Sequence, residues 1–230
     1  MNYKELPWDS DFFNKKVARL DISADDNVDE ISKLLSVNQF QVVYIFSENT
    51  TPEQNALFST LGAKCYDHKV TFRKKLSPTE PMMVDRVVFF DKITPALEDL
   101  IVSSGHMSRY YLDTGFRDFQ PELYKKWLKK CYQNPDGRIA GFIVNNAPVA
   151  AAAFSVTDDT GKMELIAVSS EFRKNGLAKK LMMEAERFYL RNGASAAEVV
   201  TQLDNTAACR LYERCGYTIN STVDVWHWWK

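Results

Sequence analysis

The sequence predicts an α/β (α+β) fold in which a mixed central sheet carries flanking helices, preceded by a smaller α/β domain. Three observations lead to this prediction. Three apolar runs separated by short turn segments predict consecutive antiparallel strands. The segments that follow them alternate between helical and extended patterns. Finally, 45% of the 230 residues are hydrophobic, which is enough to fill a folded core.

We predict a small domain at residues 1–80 and a larger one at residues 81–230. The seam between them is a polar stretch at residues 76–81 that holds two prolines, which favour extended backbone. Within the first part, residues 42–46, 54–63 and 69–74 are predicted as a strand, a helix and an extended run. This unit is similar to residues 199–217, and Phe58 stands where the later copy has Tyr212. The first domain is therefore interpreted as a degenerate half-copy of the later unit, with coincidence as the alternative.

The second part alternates between strands and helices in a regular order. Pro121 suits the first turn of a helix, and turn clusters at residues 145–148 and 157–161 separate the first three strands. Asn205 is a good helix cap, and Gly193 and Gly216 are suited to end the helices that precede them. The predicted elements are helices at 96–102 and 121–132, strands at 138–144, 149–156 and 162–168, a helix at 177–189, a strand at 197–203, a helix at 206–215 and a strand at 218–229.

Charge and composition exclude several classes of function. The formal net charge of -1 argues against a nucleic-acid partner, which needs clustered positive charge. No apolar run is long enough for a membrane span, and the first residues lack an apolar signal core. Four separated cysteines without a CxxC pair predict reduced thiols in a cytoplasmic protein. Since the three histidines are scattered, no metal site is predicted.

One segment combines the features of an anion site. The strand at 162–168 leads through a short loop into an amphipathic helix, and a helix start offers unpaired N–H groups and partial positive charge. A glycine allows close approach of the backbone, and two basic residues add charge. The pattern differs from a GxxxxGK[ST] loop and from GxGxxG. We therefore predict a pyrophosphate site formed by Arg173, Lys174, Asn175, Gly176, Leu177 and Ala178.

This segment resembles motif A of the GCN5-related N-acetyltransferases, or GNAT family, with the pattern [Arg/Gln]-x-x-Gly-x-[Gly/Ala] at residues 173–178. Residues 205–217 resemble motif B, N-x-x-A-x-x-x-Y-x-x-x-G-F/Y. Together these motifs fall within residues 138–217, in the order that the family shows. Shorter segments at 7–13, 108–113, 201–208 and 226–229 are similar to the amino-sugar N-acetyltransferases of that family, which also have a small degenerate GNAT-like N-terminal domain.

The resemblance implies a GNAT fold with splayed parallel strands, acetyl-CoA as cosubstrate and no metal. Acetyl-CoA is expected in the V between residues 162–168 and 197–203. Tyr212 is expected to be the general acid, and Glu164 the base, acting directly or through water. The acceptor is expected to be a small-molecule amine, a sugar nucleotide, contacted by Arg109 and Asp113. The remaining cofactor contacts are predicted at Ile166, Ala167, Val168, Asn205 and Ala208, besides the pyrophosphate loop.

Each of these residues also has a structural interpretation. Tyr212 lies on an apolar helical stripe and can be a core residue, and Glu164 can be a solvent-facing strand residue. Arg109 and Asp113 can form a structural salt bridge. At the level of function, the alternatives are a GNAT enzyme with another acceptor (a protein N-terminus, a lysine, a polyamine or an antibiotic) and a non-catalytic acetyl-CoA-binding module. Exposed aromatic strand ends make a homodimer an additional expectation.

Overall fold

The computed structural model describes residues 1–37, 39–77 and 85–230. The chain forms two compact units, neither of which is a single continuous stretch. The first unit consists of Met1–Val70, Gln202–Asp204 and Ser221–Lys230, and the second of Thr71–Thr201 and Asn205–Asn220. The predicted domain boundary between residues 80 and 81 lies outside the described residues, so that division stays a prediction.

The first unit is an α/β layer with its own core. Its elements are strand β1 (Asn2–Glu5), helix α1 (Pro7–Phe13), strand β2 (Val17–Ile22), helix α2 (Val28–Val37), strand β3 (Val42–Ser47), helix α3 (Pro52–Thr60), residues 64–70 of strand β4 (Lys64–Lys75) and residues 221–229 of strand β10 (Thr218–Trp229). The strand order in this unit is β1-β2-β3-β10-β4. Strands β2 and β3 are parallel, and β10 runs antiparallel to β3.

Local sequence signals explain how this unit forms. Thr51 and Gln54 form a capping box that begins α3, and the backbone turns at Gly62, with φ +72°, soon after the helix ends. Phe58 is fully buried and packs against Trp226, with ring centroids 5.2 Å apart. The predicted strand, helix and extended run of the first part are thus confirmed. The short elements β1, α1, β2 and α2 were not predicted.

The second unit contains the predicted alternation of strands and helices. Its elements, besides residues 71–75 of β4 and 218–220 of β10, are strand β5 (Val88–Phe89), helices α4 (Pro95–Val102), α5 (Arg109–Leu112) and α6 (Gln120–Gln133), strands β6 (Gly137–Val144), β7 (Ala147–Thr157) and β8 (Thr160–Val168), helix α7 (Leu177–Arg191), strand β9 (Ala196–Gln202) and helix α8 (Thr206–Arg214). The strand order is β4-β9-β8-β7-β6-β5. Strands β6, β7 and β8 form an antiparallel meander, and β8 is parallel to β9. The α/β fold class is therefore confirmed.

Both faces of this sheet are covered. On one face, residues of α4 and α6 such as Leu97 and Leu128 pack with Leu165 in one buried cluster. On the other face, Tyr189 of α7 contacts Phe154 edge to face. A Cβ atom at Gly161 would lie 2.2 Å from the Tyr189 ring, so only glycine fits beneath that helix. None of the helices in the described residues is both long enough and apolar enough to cross a bilayer.

Candidate active site

The two central strands of the second unit separate halfway along their length. In the described residues, β8 pairs with β9 from Thr160 to Met163, where the partner is Val199. The next residue, Glu164, is an extra residue relative to β7, because Ala153 pairs with Leu165 while Phe154 pairs with Met163. Such a bulge bends a strand and increases its twist. The wedge between β8 and β9 therefore begins at Glu164, and the predicted pantetheine contacts Ile166, Ala167 and Val168 lie along its open part.

The loop that leads from β8 to α7 exposes a helix start. Residues 173–176 are exposed, and Lys174 and Gly176 have positive φ angles of 64° and 76°. Gly176 is the N-cap residue of α7 and provides no side-chain cap, so the first amides of the helix remain available to an anion. Arg173 Nε donates a hydrogen bond of 3.2 Å to the carbonyl oxygen of Val168, which ties the loop to the end of β8.

We expect the substitution Gly176→Ala to weaken acetyl-CoA binding about tenfold, because the free loop of the variant relaxes from the left-handed conformation and returning to it on binding costs a residue with a Cβ roughly 1–2 kcal/mol. The reason is conformational, since a Cβ atom at this position has open space around it. Isothermal titration with acetyl-CoA measures the change in Kd. Gly193→Ala is the matched control, because Gly193 also has positive φ and open space but ends α7 instead of starting it. Equal affinity in both variants would contradict the prediction.

Helix α8 begins at the cap predicted for it. The Asn205 side-chain oxygen accepts a hydrogen bond of 3.2 Å from the Ala208 amide. Tyr212 lies one turn after Ala208 on the same helical face and is only 3% exposed. Burial raises the pKa of Tyr212 well above its ordinary value, with smaller contributions from Cys209 and Cys215. The phenol is therefore protonated at neutral pH, as a proton donor must be.

A partly buried ion pair holds the end of α8. The Lys74 ammonium donates to both carboxylate oxygens of Glu186 and to the carbonyl oxygen of Cys215, each at 2.8 Å. Cys215 is the C-cap residue of α8, so the cation lies where the helix dipole favours positive charge. Burial, followed by Glu186, raises the pKa of Tyr217 far above its ordinary value. This network fixes the turn that follows Tyr212, and neither Lys74 nor Glu186 was predicted from the sequence.

We expect Lys74→Met to lower the free energy of unfolding by roughly 3 kcal/mol, because it leaves the buried Glu186 carboxylate without its cation. Urea denaturation measures the loss. Arg73→Met is the matched control, since the Arg73–Glu198 pair is more exposed and is worth at most about 1 kcal/mol. The double substitution Lys74→Met with Glu186→Leu is expected to recover part of the loss. A loss no larger than that of the control would contradict the prediction.

Glu164 lies in the wall of a cavity of about 300 Å³ in the second unit. The Ser155 hydroxyl donates a hydrogen bond of 3.0 Å to the Glu164 carboxylate, which fixes its orientation. Burial, followed by the charge of Glu164, raises the pKa of the Cys131 thiol to about 12. The thiol is therefore protonated and unsuited to act as a nucleophile. The cavity is lined by an aromatic ring (Trp127), an ammonium group (Lys130) and a carboxylate (Glu164). The side chains of Cys131, Asn134 and Ser155 also line it.

The two predicted acceptor contacts lie apart from that cavity lining. Asp113, at the C-terminus of α5, is 2% exposed, and its carboxylate accepts a hydrogen bond of 2.9 Å from the Gly115 amide. The Arg109 guanidinium stacks 4.3 Å from the Tyr110 ring centroid and donates to that hydroxyl. Both side chains thus have local structural contacts. The sequence analysis did not identify Trp127 or Ser155 as site residues. Ser155 could have been identified as the polar residue that follows the apolar run at 150–154.

Comparisons with known proteins agree with this geometry. Residues 104–217 match the model of the acetyltransferase (GNAT) family. The spore coat polysaccharide biosynthesis protein SpsD of Bacillus subtilis (strain 168) is 24% identical over 242 aligned positions, which cover 99% of this chain and 82% of that protein. Streptothricin acetyltransferase of Escherichia coli is 25% identical over 139 positions, which cover 54% of this chain and 79% of that protein.

A solved structure is similar over much of the chain. The GCN5-related N-acetyltransferase from Sphaerobacter thermophilus superimposes with a TM-score of 0.56 at 16% identity. The similarity covers 81% of this chain and 59% of that one, so this chain spans less than two thirds of that structure's length. At this level of identity the likeness concerns the fold, and it agrees with the mixed sheet and flanking helices described above.

Proposed function

We propose that this chain, whose residues 104–217 match the model of the acetyltransferase (GNAT) family, transfers the acetyl group of acetyl-CoA to the amino group of a nucleotide-linked amino-deoxysugar. A dTDP-4-amino-4,6-dideoxyhexose is an example of such an acceptor. The observation that carries the choice of acceptor is the relative named for polysaccharide biosynthesis, which aligns with 99% of this chain and so with both of its units. The likeness to TDP-fucosamine acetyltransferase in residues 7–13 and 226–229 supports the same choice.

The geometry around β8 supports the proposed placing of acetyl-CoA. The exposed loop and uncapped start of α7 offer amides and the charges of Arg173 and Lys174 to the pyrophosphate. The wedge that begins at Glu164 leaves the β8 backbone open for the pantetheine arm. Four free thiols among the described residues are consistent with a reducing, cytoplasmic setting, which we include in the proposal.

The proposed chemistry is direct transfer. Glu164, directly or through water, takes a proton from the acceptor amine as the nitrogen–carbon bond to the acetyl group forms. A strand N–H group at the β8 bulge stabilises the oxyanion of the tetrahedral intermediate. The carbon–sulfur bond then breaks, and Tyr212 donates its proton to the departing thiolate. The Glu164 carboxylate, which accepts a hydrogen bond from Ser155, suits the role of base, and the protonated phenol of Tyr212 suits the role of acid.

A second candidate acceptor is an antibiotic that carries an amine. It is favoured by the similarity to streptothricin acetyltransferase, which is confined to 54% of this chain. The aromatic side chain of Trp127 and the carboxylate of Glu164 in one cavity are suited to hold many amines. Other acceptors, such as a peptide N-terminus, lysine or polyamine, share that chemistry, and a non-catalytic acetyl-CoA-binding module is the remaining alternative.

A thiol-release assay with acetyl-CoA separates these possibilities. The panel holds dTDP-4-amino-4,6-dideoxygalactose, streptothricin, spermidine and a peptide with a free N-terminus. We expect the highest kcat/KM with the sugar nucleotide, with mass spectrometry detecting its N-acetylated product. Turnover of streptothricin or of the peptide alone would overturn the proposed acceptor. Binding of acetyl-CoA without turnover of any amine would favour the non-catalytic module.

A further inference from the structure

Three side chains of the first unit converge although they are far apart in the sequence. Cys65 and His68 lie in β4, and Asp224 lies in the neighbouring strand β10. The His68 Nδ1 atom is 2.7 Å from the Asp224 Oδ1 atom and 4.0 Å from the Cys65 Sγ atom. One donor atom from each of the three residues lies within 4.8 Å of the other two. Since β4 and β10 are paired strands, their backbone holds these donors at nearly fixed positions.

We propose that Cys65, His68 and Asp224 form a zinc-binding site whose fourth position is taken by water. Sulfur, imidazole nitrogen and carboxylate oxygen are the three donor types that zinc binds in proteins. The sequence predicted no metal site because its histidines are scattered, whereas this donor set needs only one of them. The proposal concerns the first unit and is independent of acetyl transfer, since Tyr212 and Glu164 belong to the second unit.

The arrangement differs from a nucleophile–base–acid triad. In a triad the nucleophile and the orienting acid contact opposite nitrogens of the imidazole ring. Here the thiol and the carboxylate both approach the same nitrogen, Nδ1. Three donors around one point instead suit a single cation, and a proton between His68 and Asp224 occupies the place that the metal would take.

The distances need only small adjustments to bind zinc. With metal–ligand bonds of about 2.0–2.3 Å in a tetrahedron, neighbouring donors lie roughly 3.4–3.6 Å apart. The His68–Asp224 separation therefore has to open, and the Cys65–His68 separation has to shorten, each by a fraction of an ångström to about one ångström. Rotation of the partly exposed His68 and Asp224 side chains can provide this change.

Groups around the three donors orient them and add negative charge. The Thr50 hydroxyl donates a hydrogen bond of 3.0 Å to the second carboxylate oxygen of Asp224, which leaves Oδ1 directed at His68. The hydrogen bond to Asp224 raises the pKa of His68 against the effect of burial, and the charges of Asp204 and Asp67 act in the same direction as Asp224. Several carboxylates thus create a local field that attracts a cation.

Zinc binding would release protons from this site. Burial raises the pKa of the Cys65 thiol to about 11, while backbone hydrogen bonds at Asp67 and Val225 lower it. Without metal, Cys65 is therefore a neutral thiol at pH 7. A bound divalent cation takes Cys65 as the thiolate, which releases the thiol proton, and binds the lone pair of His68 Nδ1, so that a proton on this atom moves to Nε2 or to water. The metal would then join two strands whose ligands are 156 positions apart, and so stabilise the first unit.

The test uses the whole 230-residue chain, freed of metal with a chelator and then titrated with Co²⁺. Cobalt replaces zinc in such sites, and a cysteine ligand gives a thiolate-to-cobalt charge-transfer absorption band. We expect one equivalent to bind with that absorption, and Zn²⁺ to displace it and raise Tm. Cys65→Ser is expected to abolish the band. His68→Gln and Asp224→Asn are expected to weaken binding at least about tenfold, the loss that even an outer ligand partner causes.

Cys215→Ser is the matched control, because Cys215 is a partly buried thiol of the second unit. This substitution should leave the charge-transfer band unchanged. The His68→Gln variant guards against misfolding, since the His68 side chain is 48% exposed and its loss should preserve the circular dichroism spectrum. A missing charge-transfer band in the unmodified protein would overturn the proposal. So would an unchanged Co²⁺ affinity in both Cys65→Ser and His68→Gln relative to the unmodified protein, because the metal would then bind elsewhere.

Discussion

The substitution Tyr212→Phe is expected to lower kcat by about 10²–10⁴-fold, the range for loss of a general acid, with little change in KM for acetyl-CoA. Phenylalanine keeps the ring that packs against Phe72, with centroids 5.6 Å apart, and removes only the hydroxyl. The departing thiolate would then lack its proton donor, whereas the pyrophosphate loop would be intact. Steady-state kinetics with the best acceptor of the panel gives kcat and KM separately.

Tyr189→Phe is the control for the loss of a buried hydroxyl. Tyr189 is fully buried in α7, and its hydroxyl has no hydrogen-bond partner among the described residues. This variant should fold and turn over like the unmodified protein. An unchanged kcat in Tyr212→Phe would remove the phenol from the mechanism, and an equal loss in both variants would indicate damage to packing instead of chemistry.

The substitution Glu164→Gln is expected to have the second large effect, lowering kcat/KM by about 10²–10⁴-fold through loss of the general base. Glutamine keeps the size of the side chain and an oxygen that can accept from Ser155, so the cavity should keep its shape. The amide has no practical basicity and leaves the acceptor amine protonated. Acetylation rates measured from pH 6 to pH 9 should rise toward high pH, where the amine loses its proton without help.

Glu198→Gln is the matched control for this change. Glu198 is also a partly buried strand glutamate, but it lies in β9 and its carboxylate pairs with Arg73. Its loss should affect stability slightly and kcat/KM hardly at all. Ser155→Ala should give a loss smaller than Glu164→Gln, since the carboxylate remains while its hydrogen bond is removed. Wild-type rates in Glu164→Gln would mean that ordered water, without Glu164, deprotonates the amine.

The sequence predicted the second unit well because local signals there agree with the tertiary structure. Turn clusters separate β6, β7 and β8, and the Asn205 cap lies at the start of α8 as predicted. The positive φ angles of Gly193 and Gly216 match their predicted place at helix ends. In each case neighbouring residues along the chain determine the structure, so a pattern of a few positions carries the information.

What could not be predicted depends on residues that are distant in the sequence. Lys74 and Glu186 form their ion pair across 112 positions, and no local pattern marks either one. The cluster of Cys65, His68 and Asp224 likewise forms only when β10 lies beside β4. The bulge at Glu164 is a property of strand register, which tertiary packing sets. The predicted contacts of this chain with acetyl-CoA and with the acceptor stay predictions.

The division of the chain into interleaved units has a consequence for its synthesis. Residues 1–70 leave the ribosome long before residues 221–230, which belong to the same unit. Until then, β3 lacks its antiparallel partner, and the buried residues 42–45 lie next to an open strand edge that other chains can pair with. The second unit ends at Asn220 and can be complete earlier. The sheet of the part that is made first is therefore completed by the last strand to be made, and β3 presents an open edge in the interval.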